Sequence, residues 1–155
     1  MAGWTTAFPV SLKAELPQAI HNFQTTTGHV YKVALGTSPA TGTYDSGTVN
    51  YSNLTGNLDE VNTGSVGYSA GGFAFTAAQN LTPSTATAVA YWQWNTNPSW
   101  AGATFTTLGC LIYNASATNR AVYIGSFGGV QVVTSGTFTL SMPTNGSATA
   151  LLRIS

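Results

Sequence analysis

The residues that could do chemistry are few. The chain has two histidines, His21 and His29, and four acids, Glu15, Asp45, Asp59 and Glu60. A metal site needs three or four converging ligands. Each histidine stands apart in the sequence, and no acid has ligand spacing, so neither a metal nor a cofactor is expected. Nucleophilic catalysis needs a serine or cysteine beside a base, and a group that orients the base. Serines are plentiful, but none sits in the strand-to-helix turn that exposes a nucleophile. Asp59 and Glu60 are the carboxylate type that hydrolyses glycosides, yet they are adjacent and lie in a loop. Gly64–Gly72 is glycine-rich, but it has no lysine and no following helix, so it is not a phosphate loop. These residues point away from an enzyme. Cys110, the single cysteine, leaves no intrachain disulfide to form. It sits in an apolar run, where a buried, inert thiol is expected.

The aromatic residues offer binding instead. Tyr91, Trp92, Trp94 and Trp100 could form a stacking platform for sugar rings. Alternatively, Trp92 and Trp94 could fill the core of a β-sandwich. Protein interfaces are enriched in tryptophan and tyrosine, and three residues are candidates for one. Trp100 lies in a predicted loop beside Pro98. Trp4 and Phe8 lie on an uncharged apolar stretch at the N-terminus, which has little reason to be exposed on a free monomer.

Composition limits the partners. Only 5% of the 155 residues are charged and the formal net charge is zero, whereas about 25% charged is usual. Charge repulsion therefore contributes little to solubility, and a role inside an assembly is expected. The four basic residues, Lys13, Lys32, Arg120 and Arg153, are scattered, which argues against nucleic acid. No run of about 18 apolar residues and no basic amphipathic helix suggests a membrane role. The first sixteen residues lack a basic segment followed by an apolar one, so no signal peptide is expected. Asn50, Asn53, Asn80, Asn114 and Asn145 fall in Asn-x-Ser/Thr, a by-product of a composition rich in those residues.

The length fits one domain, large enough to bury about 68–70% of the unfolded chain's surface. Residues 1–10 read as an N-terminal arm and 11–155 as a single β-sandwich domain. Leu12, Leu16, Ile20 and Phe23 share one helical face, which predicts a helix over Val10–Phe23. Ser11 could cap it, and Pro17 is the obstacle within it. Strands are predicted at His29–Gly36, Phe73–Ala77, Ala86–Asn95 and Ala148–Ile154. Val49–Val61 mixes strand and helical-turn character.

Thr104 to Ser141 reads as a four-stranded meander. Phe105–Asn114 turns at Ala115–Asn119, Arg120–Phe127 returns, Gly128–Gly129 breaks, Val130–Thr134 follows, and Ser135–Gly136 turns into Thr137–Ser141. Leu108–Tyr113 is apolar on both faces and should be central. Phe138 and Leu140 share the buried face of the last strand. The fold class is all-β: a jelly-roll-like sandwich of about eight strands with one short N-terminal helix.

Four stretches carry a family resemblance. Ala19-Ile-His-Asn-Phe23 followed by His29-Val-Tyr-Lys-Val-Ala-Leu35 looks like an opening helix and an "FKVAL" strand. Gly67-Tyr-Ser-Ala-Gly-Gly72 looks like a "GYxxGG" turn. Leu111-Ile-Tyr-Asn114 with Ala121-Val-Tyr-Ile-Gly125 looks like an "AVLYN…LIGYxDFG" hairpin. Thr137-Phe-Thr-Leu140 with Leu151–Ile154 looks like closing strands. In this order they resemble the head-decoration, or capsid cement, proteins of tailed bacteriophages, which are small β-sandwich virion proteins. The acid of "YxDFG" is missing from Ile124-Gly-Ser-Phe127. The resemblance implies a non-enzymatic protein on the outer surface of an icosahedral head. It would clamp the major capsid protein as a dimer or trimer. A carbohydrate-binding module or a tail or fibre component is the alternative.

Overall fold

The computed structural model describes residues 3–24, 26–61, 65–75, 84–86, 89–144, 146 and 148–154. The described elements run β1 (Gly3–Trp4), α1 (Val10–Glu15), β2 (Tyr31–Gly36), β3 (Thr43–Tyr44), α2 (Ser52–Gly56), β4 (Phe73–Phe75), β5 (Ser84–Ala86), β6 (Val89–Trp92), β7 (Ser99–Asn114), β8 (Arg120–Thr139) and β9 (Leu152–Ile154). The fold is all-β and sandwich-like, as the pattern of short apolar runs predicts. A four-stranded antiparallel sheet has the order β4-β2-β7-β8, and a smaller sheet has the order β5-β6-β9. Thr76, Ala77, Thr87 and Ala88, expected in strands, lie outside the described residues, as do Gly64, Asn80 and Asn145.

β2 and β7 form the centre, paired from Tyr31 with Asn114 to Gly36 with Gly109. Side chains alternate across the two faces. Tyr31, Val33, Leu35, Cys110 and Ile112 enter one core, joined by Phe75 of β4 and covered by Trp94 and Leu152. Ala34, Leu111 and Tyr113 enter the second core, closed by Trp4, Tyr44 and Leu54. Both faces of Leu108–Tyr113 are covered, as its apolar run predicts. The lids differ: a sheet lies on one side, and loops, two-residue strands and α2 lie on the other.

The four-stranded meander is corrected to two long strands, β7 and β8. The glycine and serine clusters read as turns are bulges. Thr107 faces Gln131 while Gly109 already faces Ser126, so residues 127–130 crowd opposite Leu108. Gly128, at φ +74°, takes up the distortion. Farther along, Ala103 faces Gly136 and Phe105 faces Val133, leaving Thr134 and Ser135 opposite Thr104. Ser135 takes φ +47° there. A bulge inserts residues without ending the ladder when the partner strand is continuous. β7 is that continuous partner. It begins at Ser99, so the loop predicted through Trp100 is strand instead.

The N-terminal helix is shorter than its apolar periodicity suggests. It stops at Glu15, because Pro17 offers no backbone N–H to a further turn. Pro9 stands at the N-cap and no side chain caps the helix, Ser11 included. Leu12, Leu16 and Phe23 still pack on the core. α2 is a second helix, within the stretch of mixed character.

Residues 3–9 are woven into the molecule rather than free of it. β1 pairs in parallel with β3, Trp4 opposite Tyr44. Ala7 and Ile124 exchange backbone hydrogen bonds of 3.0 and 2.9 Å.

Candidate interaction surface

The polar residues that stand apart in sequence come together in space. Glu15, at the end of α1, accepts a hydrogen bond from His21 Nε2 at 2.7 Å and pairs with Arg120 at the start of β8. The turn after α1 brings His21 back, closed by Ile20 N–H to Glu15 O. Asn114, at the end of β7, is fully buried. Its Oδ1 accepts from the N–H groups of Ser116 and Ala117, both at 3.1 Å, an Asx turn that fixes the amide. Its Nδ2 must then donate, and it faces His21 Nδ1 at 3.1 Å and His29 Nδ1 at 2.9 Å. An acceptor at Nδ1 places the His21 proton on Nε2, toward Glu15. Burial, the largest influence, lowers the His21 pKa, outweighing the Glu15 hydrogen bond that raises it.

The expectation that each histidine is isolated is therefore corrected. No local signal could have shown the cluster, because Asn114 and Arg120 are 93 and 105 residues from their partners. Both ring nitrogens of His21 are occupied and its side chain is fully buried. The cluster joins α1, β2 and the β7–β8 turn, and leaves no open valence at His21 for a reacting group. Among the described residues, no three His, Cys, Asp or Glu side chains are grouped to hold a metal ion.

The adjacent acids diverge. Asp59 accepts from Thr41 and Gly42 N–H groups at 2.7–2.9 Å and from Tyr44 Oη at 2.6 Å. Burial pushes its pKa up, but these hydrogen bonds outweigh it and the net shift is downward. Glu60 accepts from Tyr51, from Tyr68 at 2.8 Å and from Gly71 N–H at 2.7 Å. Each carboxylate pins loops, and the two face separate partners. Cys110 is buried, and desolvation raises its thiol to about 12, which matches an inert thiol.

The aromatic candidates are mostly interior. Trp4 is 9% exposed, stacks on Tyr44 at 4.4 Å and lies over Gly36 and Gly109. A Cβ at Gly36 would come within 1.9 Å of its ring. Trp100 is 6% exposed, packed among Tyr68, Phe73 and Phe138. The exposure expected of Trp4 and Trp100 is thus corrected. Trp4 fills a trough made by two glycines, and Trp100 sits on the inward face of β7. Phe8 is half-buried against Tyr123. It lines an open groove of about 460 Å³ with Leu12, Leu16 and Leu152, edged by Lys13 and Arg153. Trp94 is fully buried and Trp92 half-buried. With Trp100 also inside, these residues make no flat platform for a sugar ring.

What the surface does present is the far half of the β7–β8 hairpin. Beyond the Gly128 bulge, β8 is the edge of its sheet. Its inward side chains, Val133 and Phe138, pack on the core. Its outward ones are exposed: Val130 at 52% and Val132 at 69%. No Asp, Glu, Lys or Arg occurs between Glu60 and Arg120, or between Arg120 and Arg153. The ribbon is therefore uncharged on both strands. Edge strands are normally guarded by charge, proline, bulges or a cover, and of these this edge shows the two bulges. No family model, curated protein or solved structure matches the chain.

Proposed function

We propose that this is a non-enzymatic structural virion protein that decorates and cements the outer surface of an icosahedral phage head. Its partners in this reading are the major capsid protein and further copies of itself, as a dimer or trimer on the lattice. The observation that carries the reading is the uncharged, exposed β7–β8 ribbon, whose outer edge has no partner strand among the described residues. A neutral surface lets identical copies pack closely without mutual repulsion. Weak contacts repeated over a lattice add up through multivalency. The ordered likeness to head-decoration proteins points the same way. The buried polar cluster suits a part that must hold its shape rather than turn over a substrate. The sugar-binding alternative loses its support once Trp94 and Trp100 lie in the core.

The test is to mix the purified protein with undecorated heads and image them by cryo-electron microscopy. Density on the outer surface bridging capsomers is the expected result. Bare heads, with density on the tail or nowhere, would overturn the reading.

A further inference from the structure

The outer edge of β8 carries a short stretch, Val130-Gln131-Val132, whose sequence matches itself in reverse. Gln131–Val133 is the regular ladder between the two bulges, and Gly129 and Val130 lead into it along the ribbon's free edge. On one side it pairs with β7, Thr106 opposite Val132. Among the described residues no strand pairs with its other side. An edge strand turns alternate N–H and C=O groups outward, and these bond to water or to another strand.

We infer that Gly129–Val133, centred on Gln131, is a self-association edge, which pairs antiparallel with the same segment of a second copy about a two-fold axis. Three observations favour a second copy over a different strand. A two-fold axis through Gln131 puts Val130 opposite Val132 of the copy, and Val132 opposite Val130. Both valines already stand exposed on one face, and directly opposed β-branched side chains stabilise a strand pair. An isologous contact also sets every charge near its own image, and no Asp, Glu, Lys or Arg lies between Arg120 and Arg153. The bulges at Gly128 and Ser135 bound the pairing to about five residues. That length limits open-ended stacking and gives a weak contact, effective where copies are concentrated. The inference concerns the chain alone. It deepens the proposed virion role, since a lattice supplies that concentration, without depending on it.

The experiment uses the full chain. Sedimentation and light scattering of the wild type across a concentration series should show a monomer–dimer equilibrium. Val132→Lys should weaken the dimer at least tenfold, with circular dichroism and the unfolding midpoint unchanged. Gln131→Cys should form a disulfide-linked dimer under mild oxidation, and Thr118→Cys, exposed on the hairpin turn, should not. A wild type monomeric throughout the series would overturn the inference, and so would a dimer that Val132→Lys leaves intact. Head decoration by wild type is scored separately. A dimer with bare heads refutes the capsid role and keeps the edge, whereas a monomer on decorated heads does the reverse.

Discussion

The β7–β8 hairpin has two halves that share a backbone ladder and little else. The half near the turn, from Gly109 and Ser126 to Asn114 and Arg120, lies inside the molecule. β2 flanks it, both faces are covered, and its end is clamped by Glu15, His21, Asn114 and Arg120. The far half packs one face only and leaves its edge and outward face to solvent. The near half carries the large apolar residues Leu111, Ile112, Tyr113, Val122 and Ile124, and the far half is rich in threonine and glycine. Composition and neighbours separate them in the same direction. The near half should therefore govern stability, and the far half should govern association.

Substitutions can break or sharpen this contrast. The largest effect belongs to Ile112, 1% exposed in the near half. Ile112→Ala should cost about 2–5 kcal/mol by cavity formation, read as a lowered urea midpoint with an unchanged slope. A loss under 1 kcal/mol would show that the near half is not the stabilising one. Gly109→Ala should follow. A Cβ there meets the Trp4 ring at 2.5 Å and Gly125 O at 2.6 Å, and overpacking costs about 1–3 kcal/mol. Pairing it with Trp4→Ala should relieve part of the loss, since the clash partner is gone, and a double-mutant cycle measures that coupling.

Glu15→Ala leaves the His21 N–H and Arg120 short of their acceptor. It should cost about 1–3 kcal/mol, with Arg120, partly exposed, contributing least. The same cluster predicts a pH effect. Folding holds His21 below its ordinary pKa of 6.5, so the unfolded chain takes up the proton first. The contribution to stability is whole above pH 6.5 and declines as pH falls below it. Unfolding midpoints between pH 7.5 and 5.5 should drop in the wild type and drop less in His21→Gln. Equal slopes would remove His21 from this role. The smallest effect is expected in the far half: Val132→Lys should shift stability by no more than about 0.5 kcal/mol. A larger loss would mean that this edge is covered within the chain, and the contrast between halves would fail.

Much of the core was legible because burial leaves a period in the sequence. His29–Gly36 reads as a strand from its residue types, and the apolar run of Leu108–Tyr113 marks the sheet centre. Phe138 and Leu140 were correctly set on one inward face. Signals that compete with tertiary pairing misled. Gly128–Gly129 and Ser135–Gly136 are turn chemistry locally, but β7 runs on beside them and turns them into bulges. Pro98 and the polar residues around Trp100 suggested a loop, yet Trp100 is held in β7 by Phe138 across the ladder. Trp4 and Phe8 looked like a free arm because nothing nearby in sequence reveals the Gly36–Gly109 trough that receives Trp4.

By itself the sequence determined the fold class, the central strands, the neutral surface and the buried thiol, since local periodicity and composition are enough for these. Only the tertiary structure decided that the two histidines share one amide, that the adjacent acids serve different loops, that Trp4 and Trp100 are interior and that one strand edge has no partner strand among the described residues. Each of these depends on residues brought together across tens of positions, and that distance leaves no pattern in the chain for local reading to find.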